Sequence, residues 1–398
     1  MIYFELKKIF SARLLLVGIA LLMAVNIFKI ADMYHSSELC DPDFSQFNDI
    51  YYRIYNGVKG DIDDEKLRTI QANYEYAAAV ASGAQELDPD RSYSGNAALD
   101  MNILMRINDD ITYLSSYEEK NAAMISRAGE NIAFYDKYNN EYYASVNRQI
   151  ADLYSDRAVD KYYDTRYTEL LIGYDLSTLF VLILVIAGLS PVFASEKSTE
   201  MRLLNNAMQK GSARLVLAKA AAAAVFSLVI TLLFFAADLF AFLAFFPIDT
   251  ESFALPLYAL RSMSDTAFSG SILSFLMYTL FCRYVAVLTA AFVTLAVSSL
   301  LKEQSVVFCA SAALVAVMVL FCGYAPVGME KIAVFDPMKL LALRVLTNGC
   351  TFVNIFGRPV LAAKVCAFSS VMFLAVLLFI VCLANKNRAC KAKRGDKK

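Results

Sequence analysis

Residues 215–246 read LVLAKAAAAAVFSLVITLLFFAADLFAFLAFF, an apolar run in which only Lys219 and Asp238 carry charge. A helix of roughly 20 such residues crosses the hydrocarbon core of a bilayer, and this run is longer than that. Working outward, the same reading gives spans at Leu14–Ile30, Leu176–Ala194, Ser305–Tyr324 and Leu361–Ala384. Ser271–Leu301 is interrupted only by Arg283 and predicts one crossing plus a helical extension or break. It completes six. The fold class expected is therefore all-α, a polytopic membrane protein with six transmembrane helices and a helical extracellular domain between the first two. Composition agrees: 398 residues, 58% hydrophobic and 19% charged, at mean hydropathy +0.47, hold more apolar side chain than one soluble core needs.

Charge sets the orientation. Lys7, Lys8 and Arg13 precede the first span, and the last thirteen residues carry seven bases against one acid, so both termini are expected in the cytoplasm of a multi-pass plasma-membrane protein. The short loops then alternate, with 196–214 and 302–304 inside and 249–270 and 325–360 outside. Lys29, Asp32, Met33 and Tyr34 follow the first span where a cleaved signal would need a small-x-small site, so it reads as an anchor. Ahead of it, Ile2, Leu6, Ile9 and Phe10 share one helical face, which predicts a helix at the cytoplasmic interface. Four units follow: 1–31, the interfacial helix and first span; 32–168, the outer domain; 169–385, the remaining bundle with a cytoplasmic loop at 195–214; and 386–398, a basic tail.

Between Asp32 and Thr168 there are 25 acids against 13 bases. Asp61 or Asp63 predicts the cap of a helix ending near Gly83. Leu99, Ile103, Ile107, Ile111 and Leu114 predict a second, and Tyr135 through Leu153 a third that runs on into the second span. Eighteen of the 23 tyrosines lie between Tyr34 and Tyr174. They read as core packing with hydroxyls reaching solvent, or as a ligand-binding surface.

Several chemistries are excluded. No G-x-x-x-x-G-K-[ST] loop is present to cradle a nucleotide, and His35 is the only histidine, which removes Ser-His-Asp triads and histidine-based zinc sites. The eight cysteines have no C-x-x-C spacing, so no metal site is expected, while a Cys40–Cys350 pairing stays open. Nothing marks a nucleic-acid partner.

The informative segment is the loop after the second span, S190-PVFASEKSTEMRLL-204, continuing through Lys210, Gly211, Ser212, Arg214 and Lys219. A short amphipathic helix from about Ser198 to Met208 offers Leu203, Leu204 and Met208 to a partner's groove. This order resembles the coupling loop of the permease subunits of type 2 ATP-binding cassette exporters: an acid-bearing stretch, a short helix, a Gly/Ser-Arg turn, then a lysine inside the third span. Glu196, Glu200, Gly211, Ser212, Arg214 and Lys219 match it, with Ser198 and Thr199 standing where a glycine is common. The likeness extends to the interfacial first helix, the Lys302-Glu303 turn and Phe335-Asp336-Pro337.

That resemblance implies a transport subunit, not itself an enzyme, that binds no cofactor. ATP and magnesium are expected on a separate cytoplasmic ATPase subunit, which grips Glu196, Glu200, Leu203, Leu204, Met208, Gly211 and Arg214. A second permease copy or homologue and the lipid bilayer are the other partners, and the cargo is a peptide, drug or lipid-like molecule. The rival reading is a membrane-anchored sensor or immunity protein whose outer domain binds a peptide or drug. Within the bilayer, Asp238 and Arg283 are candidate pathway residues, expected to pair across helices or to line a route. Lys219 is expected to snorkel to the inner surface.

Overall fold

In a computed structural model, residues 1–198, 211–325 and 328–395 are described, with side chains at all of these except 198, 211–213 and 385–395. Among the described residues, six helices are long and apolar enough to cross a membrane. The first is α2, Arg13–His35; the second spans 166–197 and is built from α8, Arg166–Ile172, α9, Leu176–Leu189, and α10, Pro191–Ser198. The third to sixth are Gly211–Phe245, Ile272–Leu300, Gln304–Gly323 and Ala362–Gly395. The fourth span is one uninterrupted helix of 29 residues, where a break had been allowed for. It packs against the second, third, fifth and sixth spans and is the axis of the bundle. The outward-lying helices leave apolar side chains such as Leu14, Phe240, Val317 and Phe368 exposed, as helices in lipid do.

The amphipathic α1, Ile2–Phe10, buries Ile9 and packs Leu6 and Phe10 on the bundle. Phe10 meets Phe226 of the third span edge to face at 5.3 Å.

Between the first two spans lies a helical domain: α3, Ser45–Val58; α4, Asp64–Ala81; α5, Ala97–Ser115; α6, Tyr117–Lys137; and α7, Glu141–Tyr154. Asp63 caps α4 by accepting from the Lys66 N–H at 2.7 Å. The predicted third helix is in fact two, α6 and α7. Asn139 turns at φ +54°, and Asn140 caps α7 through Tyr143 N–H; asparagine tolerates the left-handed region. Nor does α7 run into the second span. Asp156 at φ +59° ends it, and β2, Lys161–Tyr162, then pairs antiparallel with β1, Gly60–Asp61, closing the domain's entry against its exit. A β-hairpin, Phe352–Ile355 with Arg358–Leu361, turns through Phe356 and Gly357, both at positive φ. Among the described residues, this hairpin and the short β1–β2 pair are the strands in an otherwise helical chain.

Eight of the eighteen tyrosines, among them Tyr51, Tyr55, Tyr117 and Tyr154, are buried core while Tyr93, Tyr138 and Tyr143 are exposed, and many of the hydroxyls bond other protein groups. Tyr51 donates to Asp164 and Tyr55 to Asp249; Tyr113, Tyr117 and Tyr154 donate to the backbone carbonyls of Tyr258, Ser264 and Asp265. Four of these bonds join the domain to the 246–271 connection between the third and fourth spans, each contributing about 1 kcal/mol. The domain therefore sits at the same end of the bundle as that connection. Gln149, which donates to Pro359 O, and Cys350, 3.6 Å from the Tyr154 hydroxyl, bring the hairpin before the sixth span to the same end. Cys40 and Cys350 are both free thiols. At the opposite end lie α1, α10, the start of the third span and the Leu301–Glu303 turn.

Candidate functional site

The site at that opposite end begins with a proline. Pro191 has no N–H to give and breaks the second span after Ser190. Ser298 of the fourth span repairs the break: its hydroxyl donates to Ser190 O at 2.9 Å and accepts from the N–H groups of Phe193 and Ala194 at 3.1 and 3.2 Å. One hydroxyl thus serves as the N-cap of α10 from another helix. At the far end of α10, Lys197 donates to Ser298 O and Leu301 O, both at 2.7 Å, neutralising the last carbonyls of the fourth span.

This stitching fixes Glu196. Its Oε1 lies 2.6 Å from Lys219 Nζ and 3.8 Å from Lys8 Nζ. Lys219 also donates to Val192 O at 2.9 Å and lies 4.5 Å from the centre of the Phe193 ring. Its side chain is 0% exposed, so the expected snorkelling is overturned: the ammonium turns into the bundle toward a carboxylate instead of out to water. The reason is energetic, since a desolvated ammonium needs a counter-charge and satisfied donors, and Glu196 with Val192 supplies both. Two of the residues matched to the coupling loop are therefore brought together, and they join the two ends of the excursion 197–218. Lys8 ties the interfacial helix to the same carboxylate.

Arg214 is exposed and Gly211 opens the third-span helix. Glu200, Leu203, Leu204 and Met208, with the expected 198–208 helix from residue 199 onward, lie outside the described residues, as do the side chains of the basic tail. Ser298, Lys197 and Lys8 were missed by the sequence reading. Only Pro191 inside an apolar run signalled that a cap would be needed.

Beside this node a cavity of about 980 Å³ opens between the first span, α9, α10 and the fifth span. Leu15, Gly18, Leu184, Ala187 and Phe308 give it apolar walls, and Glu5, Lys8, Lys302 and Glu303 lie at its rim.

A second polar centre lies toward the domain end. Asp238 accepts from Asn26 Nδ2 at 2.6 Å and from the Ser177 hydroxyl, and Tyr174 donates to Asn26 Oδ1 at 2.9 Å. Arg283 instead donates to Asp175 Oδ1 at 2.6 Å and to Tyr174 O at 2.8 Å. Of the two alternatives left open for Asp238 and Arg283, the pair with each other is not formed: each has its own partner, and both line a cavity of about 20 Å³ between the third and fourth spans. Asp238 has neutral donors from two helices, and Asp175 at the N-terminus of α9 is the nearer acid for the guanidinium. The carboxylate of Asp238 joins the first three spans, a tie that burial makes costly to break.

Among the described residues no group of three or more His, Cys, Asp or Glu side chains gathers to hold a metal. The chain matches no protein-family model, and no curated protein matches it. Its functional reading stands on the residues and their geometry.

Proposed function

We propose that the chain is the membrane-spanning permease subunit of an ATP-binding cassette exporter, driven by a separate cytoplasmic ATPase subunit. The observation that carries this reading is the buried Glu196–Lys219 bridge with Lys8 beside it. A loop meant to transmit force into a helix bundle must be stiffly held where it enters and leaves. Here the entering α10 and the leaving third span share one ion pair, the interfacial helix grips the same carboxylate, and Ser298 and Lys197 lock α10 to the central fourth span. A displacement of 199–210 would then move the second, third and fourth spans together, the kind of rigid-body tilt that opens and closes transporters.

In this reading the node faces the cytoplasm of a plasma-membrane protein, in keeping with the bases at Lys7, Lys8 and Arg13, and the helical domain faces outward. The apolar cavity of about 980 Å³ beside the node, open at the cytoplasmic end, suits an amphiphilic cargo such as a drug, a lipid-like molecule or an apolar peptide. A second copy of the chain or a homologue completes the transporter.

The test is Leu203→Asp with Leu204→Asp in the full chain, tagged and purified from its own membrane. Wild-type chain is expected to bring down a P-loop ATPase and vanadate-sensitive ATP hydrolysis, and the double variant, inserted at the same level, is expected to bring down neither. An ATPase retained by the variant, or none recovered with the wild type, overturns the proposal.

A further inference from the structure

Away from the node, a cavity of about 290 Å³ lies where the domain meets the bundle, walled by α5, by the segment leading from β2 into α8, and by the turn at Ala259 and Arg261. It is near the lower size of small-ligand pockets, roughly 300 Å³. Its walls are Tyr113, Leu114, Tyr162 and Tyr163, and its charges are Asp110, Glu169, Arg166 and Arg261.

The charges do not cancel once their partners are assigned. Arg166 is consumed by Asp164, with Nη2 at 2.6 Å and Nε at 3.0 Å from its oxygens. Arg261 donates to Asp109 O at 2.7 Å and stands 3.4 Å from Asp110. Glu169 has no ion pair among the described residues, which leaves one negative charge uncompensated at the cavity. Tyr162 is 1% exposed, and its hydroxyl lies against the Tyr51 hydroxyl without reaching good hydrogen-bonding geometry; a buried polar atom left under-satisfied beside a cavity is where a ligand or water completes the bonding. Burial, opposed by Arg261, pushes the Asp110 carboxyl up to about 6, with Asp164 adding to the rise and Arg166 and Arg106 opposing it. Tyr51 and Tyr162 face the same carboxyl.

We infer that this cavity binds a small organic cation, a primary alkyl- or arylammonium. The ammonium sits against Glu169, and the hydrocarbon packs on Leu114, Tyr162 and Tyr163, while the Tyr113 face already carries the Arg261 guanidinium at 5.4 Å. An anion would meet the uncompensated charge, and a metal ion would find tyrosine and leucine where it needs further oxygen ligands. Because the walls come from both the domain and the turn after the third span, an occupant would fasten one to the other. The inference does not depend on the transport reading.

The experiment is calorimetric titration of the full chain in detergent with phenethylammonium, and with 3-phenylpropionate as the isostere of opposite charge. Expected are saturable one-to-one binding of the amine and none of the acid. Glu169→Gln is expected to weaken binding about tenfold, and Arg261→Gln to strengthen it several-fold. A damaged fold weakens both variants, so the opposite signs report charge. No saturable binding by folded wild type, equal binding of the acid, or both variants shifting the same way would overturn the site.

Discussion

Replacing Glu196 by Gln should damage the protein more than replacing Lys219 by Met, although both break the same 2.6 Å bond. The difference lies in what each leaves behind. Without the carboxylate, the Lys219 ammonium, 0% exposed, keeps only Val192 O and the Phe193 ring. An uncompensated buried charge costs about 3–5 kcal/mol. Without the ammonium, Glu196 is 16% exposed and still has Lys8 at 3.8 Å, so the loss falls to about 1 kcal/mol, as for a partly solvated pair. At roughly 1–2 °C per kcal/mol for a chain of this size, Glu196→Gln lowers the unfolding midpoint by about 3–10 °C and Lys219→Met by about 1–2 °C. The double variant removes both charges and should recover at least half of the Glu196→Gln loss, since pairs in contact are non-additive. The assay is the loss of monodisperse protein in detergent against temperature, at one fixed heating rate because such unfolding is often irreversible. Equal losses for the two single variants, or losses that simply add in the double, refute the account of the node.

A Cβ at Gly188 would lie 2.8 Å from two ring atoms of Phe226 and 3.3 Å from Leu15; Gly188→Ala is therefore expected to cost about 1–3 kcal/mol by overpacking, with Phe226→Leu recovering part of it in the same assay. At the domain end, burial tends to raise the Asp249 carboxyl, but hydrogen bonds from Lys59, the Glu251 N–H and Tyr55 outweigh it and hold the carboxyl below its ordinary range. A depressed acid stabilises above the unfolded pKa of about 3.9 and loses that contribution as pH falls through the folded value. Hydrogen exchange in 155–165, corrected for intrinsic rates, should accelerate between pH 5 and pH 3 in wild type and change less in Lys59→Met; an equal acceleration in both excludes this bond as the acid-sensitive link.

Much of the fold is legible from the chain because lipid imposes a severe rule: every backbone group must bond within its own segment, so a long apolar run has to be a helix. Residues 215–246 and the other runs announce themselves on that ground. Helices of the domain with clear caps and spacing, such as those over Asp64–Ala81 and Ala97–Ser115, are also readable. The split between α6 and α7 was hidden because tyrosines at helical spacing continue through Asn139, whose left-handed turn only its own backbone declares.

At the site, sequence located Glu196 and Lys219 by order along the chain, and also marked Asp238 and Arg283 as charges that lipid would not leave alone. It could not say who pairs with whom. Lys219 looked like a snorkelling anchor, and Asp238 like a partner for Arg283, because one-dimensional order carries no information about which helix faces which. Periodicity and hydropathy belong to each segment by itself and so are written in the chain. Partnership depends on helix rotation and on depth, and those are chosen only when the bundle packs: Glu196 meets Lys219 across a proline break capped by a serine 107 positions after Pro191, a contact no local rule anticipates.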